Sequence, residues 1–124
     1  MTQEEKQLLL KDICARLPYG VKINVPHHYE DEDGIITLDA FWLHDIQNGR
    51  KEIKPYLRSM SSMTLVEKIE LKAITKGVIQ TVGLEDIVVT TDKGFDYFNE
   101  HHIDYRNLIP KGLALEAPEG MYKI

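Results

Sequence analysis

The stretch KPYLRSMSSMTLVE, residues 54–67, leads from a predicted β-strand directly into a predicted α-helix. Pro55 has no amide hydrogen to donate, so the strand, which we place at 51–57, is expected to lie at an edge of its sheet. The serines that follow are typical of a turn. Thr64 and Glu67 then form a capping box, in which each side chain accepts a hydrogen bond from the other residue's backbone at a helix start. This segment alone indicates that the chain uses both strands and helices.

The end of the helix that follows allows two interpretations within residues 77–91. In the first, Gly77 ends the helix, and 78–82 pairs with 87–91 as a β-hairpin. In the second, the helix continues to Val82. β-branched residues are dense between 78 and 82, which favours the hairpin. In both cases the helix has the same early apolar face, which consists of Val66, Ile69 and Ala73.

Capping signals and periodicity predict the elements on either side of this region. Thr2 and Glu5 form another capping box, and an apolar period of about four carries a first helix to Arg16. Alternation of apolar and polar residues then predicts strands, and the dipeptide Asn48-Gly49 is typical of the type I′ turn of a hairpin. The resulting elements are a helix at 2–16, strands at 21–25 and 36–43, a hairpin that joins 36–43 to 51–57, a helix at 93–102 and a short helical turn at 104–109.

These elements predict an α+β fold for a single domain that spans residues 1–124. An antiparallel sheet of three to five strands would pack against about three helices. With 124 residues, the chain is long enough to bury most of its unfolded surface around one core. We expect that core to be a single cluster, formed by Leu9, Ile13, Leu38, Trp42, Phe95 and Phe98.

Composition excludes several classes of protein. Hydrophobic residues make up 43% of the chain and charged residues 28%, close to the averages of globular domains. The longest apolar runs are too short to cross a bilayer, and two glutamates interrupt residues 1–11, where a signal peptide would need an apolar stretch. The single cysteine, Cys14, cannot form an internal disulfide, which fits a reducing compartment. We therefore expect a cytoplasmic protein that does not bind a membrane.

Charge disfavours binding to nucleic acid. The net charge is −5, which is the wrong sign for a protein that neutralises phosphates. Two basic stripes are present, but glutamates interrupt or flank both, and no aromatic residues are interleaved with them for base stacking. A nucleic-acid-binding adaptor is therefore an alternative function and not the leading one. The stripes are Arg50, Lys54 and Arg58 on the predicted strand, and Lys68, Lys72 and Lys76 on the predicted helix.

Two histidine pairs are candidates for metal binding or catalysis. Adjacent residues point to opposite faces of a strand or lie about 100° apart on a helix, so neither pair is well placed to share an ion. The acidic loop at 29–34 lacks the closing glutamate of a calcium site. We predict no cofactor and no catalytic residue, with a small metal-dependent hydrolase as another alternative. The pairs are His27-His28 and His101-His102. The candidate metal ligands that we retain are His101, His102 and Asp104.

Three segments, which together cover about half of the chain, carry a resemblance to known sequences. They are IKPYLRSMSSMT (53–64), FDYFNEHHIDYR (95–106) and GLALEAP (112–118). They look like a family of small uncharacterised proteins encoded by phages and prophages of gut bacteria, although 65–93 has no matching counterpart. That family has no established activity. The resemblance therefore implies a mobile genetic element as the context, and it implies no catalytic residues.

The function expected from the sequence is that of a non-enzymatic accessory protein of a phage or mobile element. We expect it to act in the cytoplasm of the bacterial host cell, where it binds a protein partner or a second copy of itself. An exposed edge strand at 51–57 could pair with a strand of the other chain. The residues predicted to bind the partner are Lys54, Tyr56, Arg58, Tyr105 and Arg106.

Overall fold

The computed structural model describes residues 2–25, 35–48, 53–74, 78–82, 85–89 and 92–122. Within these ranges the chain forms four α-helices and six short β-strands, which confirms the predicted α+β class. None of the described helices is long and apolar enough to cross a membrane. The helices are α1 (Gln3–Arg16), α2 (Ala40–Gln47), α3 (Leu65–Ile74) and α4 (Asp92–Glu100), and the strands are β1 (Lys22–Asn24), β2 (Ile35–Thr37), β3 (Lys54–Leu57), β4 (Val78–Val82), β5 (Glu85–Val89) and β6 (Leu115–Glu116).

The first helix, α1, begins at the capping box that the sequence predicts. The amide of Glu5 donates to the hydroxyl oxygen of Thr2 at 3.1 Å, and the amide of Thr2 donates to the Glu5 carboxylate at 3.0 Å. Four-residue spacing places Leu9 and Ile13 on one side of the helix, where both are buried. The helix ends at Arg16, as expected. Local signals are therefore sufficient to define this element.

The prediction of a strand at 36–43 is wrong over most of that range. Strand β2 ends at Thr37, and the chain then turns into α2. Asp39 explains the change, because its carboxylate accepts a hydrogen bond from the amide of Trp42 at 3.1 Å and so caps the start of a helix. On that helix Trp42 and Ile46 lie four residues apart, and both are buried.

The hairpin predicted around Asn48-Gly49 is also wrong. Asn48 is the residue that ends α2, and its amide donates to the carbonyl of His44 at 3.0 Å. Gly49 lies outside the described residues. Because the segment before Asn48 is a helix, no strand is present there to form the first arm of a hairpin with β3.

The main sheet has four strands in the order β2-β1-β3-β6. Strand β1 pairs antiparallel with β2 and β3, whereas β3 and β6 run parallel, so the sheet is mixed. Strand β3 is therefore an inner strand, and its predicted position at the edge is wrong. Pro55 lies opposite Ile23 of β1, and β6 pairs only with Tyr56 and Leu57, so β6 does not reach the residue without an amide hydrogen.

The region after α3 forms the predicted hairpin and not a longer helix. Strands β4 and β5 pair antiparallel, with Val78 opposite Val89 and Val82 opposite Glu85. The returning strand thus begins two residues earlier than the expected 87–91. This hairpin is a separate two-stranded sheet.

The last helix, α4, ends at Glu100, two residues before the predicted end. The amide of Ile103 donates to the carbonyl of Phe98 at 2.9 Å, and that of His102 donates to the carbonyl of Asn99 at 3.2 Å. This is the Schellman arrangement that closes a helix, and it requires a left-handed backbone at His102, whose φ is 59°. Glycine is the usual residue at such a position, so the histidine keeps some backbone strain.

The buried hydrophobic residues form two clusters and not the single core that was expected. Phe98 lies in the second cluster with Phe95 packed against it, whereas the four other predicted core residues lie in the first. Arg16 of α1 contacts the backbone of the second cluster, where its guanidinium donates to the carbonyls of Phe98 and Ile103 at 3.5 and 2.6 Å. The first cluster consists of Leu9, Ile13, Val21, Ile23, Val25, Leu38, Trp42, Ile46, Ile53, Leu57, Leu108, Leu113 and Ala114, and the second of Met63, Leu71, Tyr97, Phe98 and Ile103.

Candidate interaction surface

Helix α3 turns three of its apolar residues to the solvent, whereas Leu71 is buried in the second cluster. Leu65, Val66 and Ile69 are 74%, 63% and 59% exposed, whereas Glu67 on the opposite side is only 1% exposed. We call the side formed by Leu65, Val66 and Ile69 the exposed face of α3. Amphipathic helices normally bury their apolar side, so this orientation is the reverse of what the sequence pattern leads one to expect.

An ion pair between Arg58 and Glu67 holds α3 in this orientation. Two nitrogens of the guanidinium each lie 2.7 Å from one carboxylate oxygen of Glu67. The amide of Thr64 donates to the same carboxylate at 2.9 Å, and the amide of Glu67 donates to the Thr64 hydroxyl at 3.1 Å, which confirms the second predicted capping box. Hydrogen bonds from Arg58 are the largest cause that lowers the pKa of Glu67 to about 2. The side that carries Glu67 is thereby fixed inward, and the opposite side faces the solvent.

Arg58 is in turn fixed by the backbone around it. Its guanidinium also donates to the carbonyls of Ser62 and His101, at 3.1 and 3.5 Å. Its own amide donates to the carbonyl of His102 at 2.7 Å, and its carbonyl accepts from the amide of Asp104 at 2.8 Å. The arginine thus connects the end of β3, the start of α3 and the segment after α4.

A groove of about 490 Å³ lies beside the exposed face of α3, and we call it the α3 groove. The end of α4 and the closing segment at 121–122 form its other sides. Val66 belongs both to the exposed face and to the lining of the groove, so the two features are continuous. The lining consists of Tyr19, Gly20, Arg58, Val66, Glu67, Glu70, Glu100, His101, His102, Met121 and Tyr122.

The two histidines of the α3 groove differ in their surroundings. His101 stacks on the ring of Tyr97 at 4.1 Å, and its Nδ1 lies 3.1 Å from the carbonyl oxygen of the same residue. His102 is buried and stacks on Tyr122 at 4.0 Å, and its Nδ1 has no hydrogen-bond partner. Burial, more than the neighbouring charges, lowers the pKa of His102 to about 4. His102 is therefore neutral at pH 7.

The candidate metal ligands do not come together. Both oxygens of the Asp104 carboxylate accept backbone hydrogen bonds, from Leu108 at 2.8 Å and from Ile109 at 3.0 Å. These bonds order a turn over 108–112, which overlaps only the last two residues of the short helical turn predicted at 104–109. Among the described residues there is no group of three or more acidic, histidine or cysteine side chains that could hold an ion. His27, His28 and the acidic loop at 29–34 lie outside the described residues.

The five residues predicted to bind a partner contact different parts of the molecule. The hydroxyl of Tyr56 accepts a hydrogen bond from the side-chain amide of Asn24, and the hydroxyl of Tyr105 donates to the side-chain oxygen of Asn99. Arg106 binds Asp12 at 2.9 Å, Arg58 is the buried partner of Glu67, and Lys54 lies on β3 beside a different cavity. Arg106 lies over the ring of Tyr105 at 4.7 Å, and of the five residues only Arg58 lines the α3 groove.

A buried charged pair on α1 is a feature that we did not predict. Asp12 and Arg16 are both fully buried, and the carboxylate binds the guanidinium at 2.9 Å. The signal was present in the sequence, since Asp and Arg four residues apart on a helix lie side by side. Such pairs usually lie on the surface, however, so the spacing alone does not indicate burial.

Comparison with known proteins adds no relative to this description. No family model, no curated protein and no solved structure matches this chain. The resemblance to phage-encoded proteins therefore stays a prediction. The functional argument rests on the geometry of the exposed face of α3 and of the α3 groove.

Proposed function

We propose that this protein is a non-enzymatic accessory protein of a phage or other mobile element, which acts in the cytoplasm of the bacterial host by binding a protein partner. The observation that carries the proposal is the exposed face of α3. Burial of one leucine, valine or isoleucine side chain stabilises a protein by about 1.5–3 kcal/mol. Three such side chains on one exposed side of a helix are therefore typical of a surface that a partner covers.

The energetics of α3 support this interpretation over an incidental exposure. If the helix rotated to bury Leu65, Val66 and Ile69, Glu67 would leave Arg58. Breaking a buried ion pair by removing one partner costs about 3–5 kcal/mol. Much of the gain from burying the apolar side would thus be lost, so the orientation observed is the one that the buried pair favours.

The same observation changes the route by which a partner would bind. The edge strand expected at 51–57 is not available, because β3 has a neighbour on each side. The exposed face of α3 replaces it in our proposal. Helix-in-groove recognition, in which apolar side chains of one helix enter an apolar surface of the partner, is a common mode for such a face.

Charge in the α3 groove supports a protein partner over nucleic acid. Glu70 and Glu100 lie in the groove beside the exposed face, and phosphates would be repelled there. Lys68 and Lys72 are exposed one turn apart on α3, but neither lines the α3 groove. Metal-dependent hydrolysis gains no support from Asp104, because backbone amides occupy both of its carboxylate oxygens.

The test is recovery of partners from infected or lysogenic bacteria with two variants of α3. In Ile69→Asp, a charge replaces an apolar side chain at the centre of the exposed face. In the matched control, Lys68→Asp, the charge changes at an exposed position on the same helix but outside that face. We expect a partner that binds the wild-type protein and Lys68→Asp but not Ile69→Asp.

The free energies of unfolding of the two variants, obtained from thermal melts, should agree within about 0.5 kcal/mol, because both positions are exposed. A partner that binds Ile69→Asp as well as the wild-type protein would contradict the role of the exposed face. If no protein is recovered whose binding is lost in Ile69→Asp, the role of the exposed face is contradicted as well.

A further inference from the structure

Two carboxylates, those of Glu70 and Glu100, remain open to a ligand in the α3 groove. The carboxylate of Glu70 accepts one hydrogen bond, from the hydroxyl of Tyr97 at 3.0 Å, and otherwise faces the solvent, as does Glu100. His102 is only 5% exposed and has an unpartnered Nδ1. That nitrogen is itself buried, so a ligand in the groove meets the two carboxylates and not His102. A ligand of this groove would thus have to supply N–H donors.

The balance of charge in the groove is negative. Three carboxylates line it, against the guanidinium of Arg58. That guanidinium is fully engaged by Glu67 and by the carbonyls of Ser62 and His101. Two negative charges, on Glu70 and Glu100, therefore have no counter-charge in the lining. A cation of the partner would complement them.

The walls of the groove suit a long basic side chain. Val66 and Met121 supply apolar surface along which the methylene stem of a lysine or an arginine can lie, while its charged end reaches a carboxylate. Tyr19 is 38% exposed at the same groove, and the face of a tyrosine ring attracts a cation.

We propose that the α3 groove binds a lysine or arginine side chain of a partner segment whose apolar side chains cover the exposed face of α3. This inference rests on the function proposed above and specifies the chemistry of the partner. The segment combines aliphatic with basic residues, as one side of a basic amphipathic helix does.

A second copy of this chain fits the surface less well. Helix α3 has ten residues and is about 15 Å long. Its exposed face is too small to supply the roughly 800 Å² that each partner buries in a specific interface, so contacts must extend into the groove. A second copy carries a net charge of −5 and would bring further negative charge to the carboxylates.

The experiment uses the full chain and two synthetic peptides. One is an amphipathic helix of leucine and lysine, and the other has glutamate at each lysine position. Binding is measured by calorimetry at low and moderate salt. We expect the lysine peptide to bind and the glutamate peptide not to bind, with an affinity that falls as salt rises.

Three variants test whether the affinity for the lysine peptide depends on the carboxylates of the α3 groove. Glu70→Gln and Glu100→Gln each remove one carboxylate from the groove. Each should lower the affinity for the lysine peptide by up to about fivefold, which is the upper end for an exposed ion pair. Glu4→Gln is the matched control, because it makes the same change at an exposed position on α1, outside the groove. It should leave the affinity unchanged, and melting curves should show that all three variants fold.

Failure of this inference and failure of the proposed function give different results. If both peptides bind equally and Ile69→Asp abolishes both, the exposed face binds partners but the groove does not select a cation. If Glu4→Gln weakens binding as much as Glu70→Gln and Glu100→Gln do, the attraction is general and the groove is not the site. If the lysine peptide does not bind at all, the proposal is overturned.

Discussion

At the scale of single residues, the contrast between Glu67 and Glu70 is the sharpest test of the structure. Glu67 is 1% exposed and bound by Arg58 through two hydrogen bonds, whereas Glu70 is exposed and contacts the Tyr97 hydroxyl. Glu67→Gln leaves the positive charge of Arg58 buried without its counter-charge. We expect this variant to lose about 3 kcal/mol of unfolding free energy in urea denaturation.

Glu70→Gln is the matched control, because the same change is made three residues later on the same helix. It should lose less than about 1 kcal/mol, since only the part-buried hydrogen bond from Tyr97 is affected and glutamine can still accept it. A double variant, Arg58→Met with Glu67→Leu, should recover much of the loss, because it removes both charges together. Equal losses in Glu67→Gln and Glu70→Gln would contradict the role of the buried pair in orienting α3.

At the scale of elements, α2 depends on one side chain that the pattern of apolar residues does not reveal. Asp39 caps the helix by accepting from the amide of Trp42. Asp39→Ala should cost about 1 kcal/mol, and Asp39→Asn should cost much less, because asparagine is an equally good capping residue. Urea denaturation gives the totals, and hydrogen exchange of the α2 amides should show faster opening in Asp39→Ala alone. Equal protection in both variants would argue against capping by this side chain.

The elements that were predicted correctly are those with local signals. The capping boxes at Thr2 and Thr64 each involve two residues three positions apart, so the sequence contains the whole interaction. The segment 36–43 contains both an alternating pattern and a cap at Asp39. The strand and the helix are both locally compatible with it, and the buried positions of Trp42 and Ile46 in the folded core decide between them.

At the scale of the whole molecule, the contacts that the sequence could not predict are non-local. The parallel pairing of β3 with β6 joins residues about sixty positions apart, and it turns the expected edge strand into an inner one. The exposed face of α3 depends on Arg58, nine residues before Glu67 and on a different element. Arg16 donates to the carbonyls of Phe98 and Ile103, far along the chain. The contacts of the two arginines replace expectations based on apolar periodicity, because a buried charge must meet its partner.

The stability of the whole molecule is expected to decrease as the pH is lowered, in two successive pH ranges. Burial lowers the pKa of His102 from 6.5 to about 4, with the charges of Arg16, His101 and Arg58 acting in the same direction. The unfolded chain therefore binds this proton more tightly than the folded one, and acid favours unfolding as the pH falls from 6.5 through 4. Since one pKa unit corresponds to about 1.4 kcal/mol, the loss reaches about 2–3 kcal/mol by pH 4. Glu67, whose pKa lies at about 2, adds a loss as the pH falls from 4.5 through 2.

His102→Asn separates the two pH ranges. Asparagine tolerates the left-handed backbone at this position and does not titrate, although it loses the stacking on Tyr122. The variant should start less stable at pH 7 but lose less unfolding free energy between pH 6.5 and 4.5, as measured by urea denaturation at a series of pH values. Below pH 4.5 both proteins should lose stability together, because Glu67 is still present in each. If the two proteins lost stability in parallel between pH 6.5 and 4.5, burial of a neutral His102 would not be the cause of the loss of stability in acid.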